Sequence, residues 1–207
     1  MENRYKEFIR KQLVAYTDGD KILAVTNLME SKGFRKIGYG SYAAIYQGRR
    51  DNTVVKFFEP DNCYKQYVKL ITKHQTNPHF PKIKKLVRFK KKPFSGLYAL
   101  KMESLKALTD EEYRENLGFH CYTVTKIQTH PNSLNLSFSI AAHTHKLSVP
   151  EIKDKALEWA KENLDFAKCI DLIAKGMKTN CREDLHQGNI MKRGSTWVII
   201  DPYYEAS

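Results

Sequence analysis

Asp184 and Asn189 stand five positions apart in Arg182-Glu183-Asp184-Leu185-His186-Gln187-Gly188-Asn189-Ile190-Met191, and Asp201 follows twelve residues after Asn189. Carboxylates and carboxamides are hard oxygen donors that suit Mg²⁺. An Asp and an Asn on one loop, with a second Asp at the end of an Ile-rich strand, place one carboxylate at an attacking hydroxyl and two ligands, Asn189 and Asp201, on a metal. His186, inside the same loop, is placed to support it through hydrogen bonds or to meet a phosphate, and the sequence does not say which ring nitrogen carries the proton. Asp and Asn also cap helices and make turns, so this trio gains meaning only from what precedes it.

Two further groups precede it. Gly38-Tyr39-Gly40-Ser41-Tyr42-Ala43 puts small residues where backbone N–H groups can approach phosphate oxygens, although a tight hairpin needs the same glycines. The element that follows reads as a strand, so the dinucleotide-binding fingerprint, which needs a helix there, is not met. Val54-Val55-Lys56 then sets a lysine on the next strand, on the face opposite Val55. A lone lysine there would be a solvent-facing residue of a half-buried strand. One hairpin after a glycine flap, its ammonium could reach the α- and β-phosphates of a nucleotide.

Stepping from these residues to the elements that carry them, helical spacing runs through 4–15 and again from Ile22 to Met29, with Gly33 as the C-cap. From Phe34 the period falls to two. Residues 34–38, 42–47 and 53–58 read as an antiparallel meander, 63–75 as a helix, and 83–91 and 97–102 as two more strands, giving a five-stranded sheet with one inserted helix. The rest reads as helical, near 110–117 and from Pro150 to about Gly176, with a last strand at Trp197 to Ile200. Between them, Tyr122-Thr-Val-Thr has strand character and Leu134 to Ala142 fits either state, so 119–149 acquires no role.

Composition bounds what such an arrangement can be. The chain has 207 residues, 42% of them hydrophobic and 12% aromatic, which excludes a disordered or low-complexity chain and suits one domain or two small lobes. The longest stretch without Asp, Glu, Lys or Arg, Ile127 to His145, is too rich in polar residues to span a membrane, and Met1 to Lys11 lacks the pattern of a secretory signal. The expected address is cytoplasmic, and the four scattered cysteines, Cys63, Cys121, Cys169 and Cys181, read as reduced thiols. A net charge of +12 predicts attraction to phosphate-rich or acidic partners without choosing among nucleotide, nucleic acid and acidic protein. His143-Thr144-His145 has no further His or Cys at ligand spacing to complete a metal site.

Taken in order, the glycine hairpin, strand lysine, helix, Asp-Leu-His-x-x-Asn and strand Asp resemble the protein-kinase superfamily over residues 34–203. Asp184-Leu185-His186 with Asn189 is similar to the Asp-x-His-x-x-Asn loop of aminoglycoside and choline phosphotransferases. The Ala43-Ala44 of the flap, Gly188-Asn189-Ile190-Met191 and Asp201-Pro202 resemble the early serine/threonine protein kinases of lytic short-tailed phages. The resemblance implies an α+β, kinase-like two-lobed fold: a helical extension over 1–33, a β-rich lobe over 34–103, and a reduced, mainly helical lobe over 104–207. It implies an ATP- and Mg²⁺-dependent phosphotransferase in which Gly38, Gly40, Ser41 and Ala43 cover the phosphates and Lys56 holds them. Asp184 orients or deprotonates the acceptor hydroxyl with His186 beside it, and Asn189 and Asp201 hold the metal. Leu100 to Leu105 is similar to a kinase hinge, which would place Met102 behind adenine and the backbones of Glu103 and Leu105 against it. The implied acceptor is a Ser or Thr of a host protein in the cytoplasm of an infected bacterium.

The sequence also departs from that pattern. The helix at 63–75 offers no acid to pair with Lys56, Asp201-Pro202 stands where kinases have Asp-Phe-Gly, and six residues follow Asp201, without the segment that holds a peptide substrate. Two other readings therefore stand beside the first: a small-molecule phosphotransferase of the aminoglycoside type, and a weak or inactive kinase-like protein that inhibits a host factor through a basic surface. For that surface the candidate is Lys82, Lys84, Lys85, Arg88, Lys90, Lys91 and Lys92, around one predicted strand. Lysines of this kind also guard a solvated edge strand against pairing; the sharper reading is a dock for an acidic protein or, second to it, nucleic acid.

Overall fold

The apolar periodicities resolve into two compact units, the described residues of Met1–Asp61 with Ile83–Ser104, and those of Asn62–Lys82 with Leu105–Ser207. The computed structural model describes residues 21–40, 43–47, 52–59, 62–92, 94–126, 139–177 and 180–205. The helix expected over 4–15 and position Ser41 lie outside them.

The first unit is built on strand alternation. Strands β1 (Arg35–Gly40), β2 (Ala43–Gln47), β3 (Thr53–Phe58), β4 (Ile83–Arg88) and β5 (Tyr98–Glu103) form one antiparallel sheet in the order β1-β2-β3-β5-β4. One face carries Ala44, Tyr46 and Phe57, which pack with Ile22, Ala24 and Val25 of helix α1 (Lys21–Ser31) and with Phe94 and Leu97. Residues 21–31 thus form part of the β-rich unit's core and are not an extension to it. The turn that brings α1 onto the sheet is set by Gly33 at φ +76°, with Phe34 N–H donating to Met29 O (3.1 Å) and Gly33 N–H to Glu30 O (2.8 Å). That paired closure requires a left-handed residue, which glycine adopts without strain.

The second unit is mostly helical. Helix α2 (Asn62–Lys73) buries Cys63, Tyr64, Tyr67, Val68 and Ile71, the one-face spacing its sequence shows. Although read as the helix of the β-rich lobe, it belongs to the second unit, because that apolar face packs on helix α6 (Leu164–Gly176) and strand β10 (Tyr203–Glu205). Strand β6 (Lys106–Ala107) and helix α3 (Asp110–Glu115) follow. Thr109 and Glu112 cap α3 reciprocally, side chain to backbone in both directions.

Helix α4 (Leu117–Lys126) runs through Tyr122-Thr-Val-Thr, where the sequence has strand character. Burial of Phe119, His120, Cys121, Tyr122, Thr123 and Val124 and the bond from Thr123 Oγ1 to Phe119 O (2.8 Å) outweigh the β-branched preference. A π-helical turn spans Ser139–Thr144. The long helix expected from Pro150 is two, α5 (Val149–Glu162) and α6, because Asn163 leaves helical geometry and returns both its N–H and its Nδ2 to Trp159 O.

Strand β7 (Cys181–Glu183) pairs antiparallel with β10, while β8 (Ile190–Arg193) pairs with β6 and with β9 (Thr196–Ile199). The core is aromatic: Phe119 packs against Tyr113, Trp159, Phe166 and Trp197. Gly118 is required there, since a Cβ would lie 2.3 Å from the Trp159 ring.

The thiol reading needs correcting. Cys63, in the first turn of α2, is disulfide-bonded to Cys181 at the start of β7, across 118 positions of sequence, whereas Cys121 and Cys169 are free and buried. No local spacing announces a pair so far apart; tertiary packing alone brings the two together. Among the described residues no helix is long and apolar enough to cross a membrane.

Candidate active site

In the second unit, strand pairing assembles the predicted trio. Tyr203 opposes Glu183 in the β7–β10 ladder, and the backbone on both sides of Asp201 is fixed to the Asp184 loop. Asp184 N–H donates to Pro202 O (2.8 Å) and Ile200 N–H to Asn189 O (2.9 Å). Asp201 is therefore held between the two ends of the loop that carries Asp184 and Asn189.

Asn189 organises the loop. Its Nδ2 donates to Asp184 O at 2.8 Å and to Asp184 Oδ2 at 2.9 Å, which uses both amide hydrogens. The same nitrogen lies 3.1 Å from His186 Nε2. The amide is thereby oriented with Oδ1 as the end left for a cation. Gly188 N–H donates to His186 Nδ1 (3.0 Å), which makes Nδ1 an acceptor and puts the proton of the neutral ring on Nε2, 3.7 Å from Asp184 Oδ1. Gly188 is needed for this arrangement, because a Cβ there would fall 2.8 Å from His186 Cε1.

Four more contacts pin the loop, none predicted from sequence. Leu185 is buried as its anchor, and Tyr113 Oη donates to Leu185 O (2.7 Å). Gln187 Nε2 donates to Leu108 O (2.9 Å), and Leu185 N–H to Glu183 Oε1 (3.2 Å). Burial, and after it the charge of Asp184, raises the Glu183 carboxyl to about 7 against the pull of that N–H. Tyr113 and Leu108 lie on segments with no local signal for a site; only the fold puts them against the loop.

In the first unit, cross-strand partners share a face. One row runs Gly38, Ile45, Lys56, Leu100, and the rows beside it hold Gly40, Ala43, Phe58 and Tyr98, and Gln47, Val54 and Met102. Gly38, Gly40, Ala43, Lys56 and Met102 thus stand on the face opposite α1. Lys56 is buried at 7% exposure, with Leu100 and Met102 buried as its neighbours, so the solvent-facing reading of this lysine does not hold. A Cβ on Gly38 would press on Ile45 Cδ1 at 3.2 Å. Glu103 opposes Thr53 on the other face, and Leu105 falls in the second unit.

The donor chemistry of the second-unit residues suits magnesium. Asp201, Asn189 Oδ1 and Asp184 are all oxygen donors, and Mg²⁺ characteristically takes one or two carboxylates, with water and substrate phosphates completing its shell. No cluster of three His, Cys, Asp or Glu side chains that could hold a metal occurs among the described residues.

No family model matches the sequence, and no curated protein matches it. Among solved structures, the streptomycin–ATP–APH(2″)-IIa ternary complex aligns with 92% of this chain and 74% of that chain, at 13% identity and a TM-score of 0.35.

Proposed function

We propose that the protein is an ATP- and Mg²⁺-dependent phosphotransferase that moves the γ-phosphoryl group to a hydroxyl, with Ser or Thr of a protein as acceptor. The observation that carries this reading is the double bond from Asn189 Nδ2 to Asp184. It presents a carboxylate to an acceptor and an amide oxygen to a cation from one five-residue turn.

Each unit contributes by itself. On the sheet, Gly38 and Gly40 carry no side chain to keep phosphate oxygens from the backbone, Lys56 supplies a desolvated positive charge in the cross-strand row of Gly38, and Met102 supplies an apolar surface for the base. In the loop, Asp184 Oδ2 is held by Asn189 and Oδ1 faces the acceptor, so the hydroxyl proton is oriented toward, and taken by, Oδ1. His186 Nε2–H stands near the same oxygen and steadies the carboxylate. When bound, magnesium would neutralise phosphate charge, and Asn189 and Asp201 are the residues that would hold it. The Asp184 and His186 side chains are 37% and 49% exposed, so the loop is open to an acceptor carried on a large molecule.

The acceptor class is tested by incubating the protein with γ-labelled ATP and Mg²⁺ in a bacterial extract and, separately, with an aminoglycoside. Label on protein Ser or Thr supports the reading. Label on the aminoglycoside alone replaces it with a small-molecule phosphotransferase, and no label in either, with ATP bound, makes the chain a non-catalytic nucleotide-binding protein.

A further inference from the structure

Strand β4 ends the sheet: it pairs with β5 along one edge and with no strand along the other among the described residues. Every residue from Lys84 to Arg88 is exposed, including Leu86 at 45% and Val87 at 37%, an uncommon condition for apolar residues of a strand. From Asn62 to Met102 the sequence holds eleven Lys and Arg and no Asp or Glu, nearly the whole excess of the chain. Seven of these, Lys84, Lys85, Arg88, Lys90, Lys91, Lys92 and Lys101, belong to the first unit, on or beside β4 and β5.

We infer that the free edge of β4 is a docking site for an extended acidic peptide segment that adds as a sixth strand. Unpaired edge groups template such pairing, and edge lysines ordinarily prevent it by repelling neutral or basic strands and second copies of the same chain. A strand bearing carboxylates reverses that sign, so the lysines that bar self-association select an acidic partner.

The register specifies the sequence it would read. The irregularity in β4 lies between Ile83 and Lys85, which leaves Lys85–Arg88 regular. Leu86 and Arg88 oppose Leu100 and Tyr98 on one face, and Lys85 and Val87 oppose Lys101 and Ala99 on the other. Along the edge the order is cation, apolar, apolar, cation, and the complementary strand reads acid, apolar, apolar, acid in either direction, with Lys90 to Lys92 favouring a further acid. Single-stranded nucleic acid fits less well, since it needs aromatic platforms. Along Lys84–Lys92 the sole aromatic, Phe89, stacks instead with Phe57 and packs edge-on against Phe94.

The test uses the full chain and a fluorescein-labelled Glu-Glu-Val-Val-Glu-Glu peptide, followed by anisotropy at low and physiological salt. The site predicts saturable binding that weakens with salt and falls at least tenfold in the Lys85→Glu/Arg88→Glu variant. It also predicts a fall of at least tenfold for the native protein when two adjacent peptide amides are N-methylated, because one of them must face β4. Equal affinity for the N-methylated peptide, or for an oligothymidylate of matched charge, would overturn the proposal. The N-methyl comparison decides the matter even if the charge-reversed variant does not fold.

Discussion

The two units position their residues by opposite means. The sheet places Gly38, Ala43, Lys56 and Met102 on one face through the two-residue period of its paired strands. The second unit places Asp184, Asn189 and Asp201 through contacts reaching far along the sequence: Tyr113 to Leu185, Gln187 to Leu108, Pro202 to Asp184, and the disulfide from Cys63 to Cys181. A periodic element tolerates change at any residue that keeps its face. A tethered loop transmits damage from wherever its tethers are rooted, so substitutions remote from Asp184 should disturb it while the sheet stays indifferent.

The largest effect falls on the longest tether. Cys63→Ser, or reduction of the native chain, should lower stability by about 5 kcal/mol, the loop-entropy scale for a closure of this length. Urea unfolding with and without reductant measures it, and the loss should be confined to the helical unit's transition. Equal midpoints would show that the bond constrains nothing.

Next comes pH. His120 is fully buried in α4, its Nε2–H donating to Tyr113 O (2.7 Å), and burial lowers it to about 4 from its ordinary 6.5. Below 6.5 the unfolded chain takes up a proton that the folded one refuses, so stability is lost as pH falls from 6.5 to about 4, by about 3 kcal/mol in all. The midpoint of thermal unfolding should drop over that window, and His120→Gln should flatten the drop.

Tyr113→Phe should follow, removing the donor to Leu185 O and leaving a buried carbonyl unsatisfied, at about 1–2 kcal/mol. Because the carbonyl belongs to the loop beside Asp184, kcat should fall about tenfold with KM for ATP unchanged, a separation that steady-state kinetics reads directly. The smallest effect on stability belongs to the sheet. Gly38→Ala presses only on the movable Cδ1 of Ile45, its other contacts with that side chain being of ordinary length, so unfolding should shift by less than about 1 kcal/mol while KM for ATP rises severalfold. A severe loss of stability there would erase the contrast between the units.

That contrast also divides what could be read from the sequence. Strand period, the Gly33 closure and the bonds from Asn189 to Asp184 depend on neighbours in the chain, and β1 to β5 fall within a few residues of their expected limits. The strand reading of Tyr122-Thr-Val-Thr yielded to burial in α4, and the break at Asn163 depends on a side chain capping Trp159 O, which no Gly or Pro marks. The disulfide and the membership of α2 were invisible for one reason: both are settled by what the apolar face of α2 meets, and sequence shows the face without its partner. Tyr113 was missed likewise, an ordinary polar residue until the fold sets it against the loop, and so was the Leu108 carbonyl that receives Gln187.

The central claim rests on Asp184 and is most directly tested by the rate of label transfer from γ-labelled ATP in Asp184→Asn beside the native chain, both verified as equally folded. The account predicts a loss of roughly 10²- to 10⁴-fold in kcat, the range for removing a general base, with ATP binding retained. Transfer at the native rate in Asp184→Asn would contradict it.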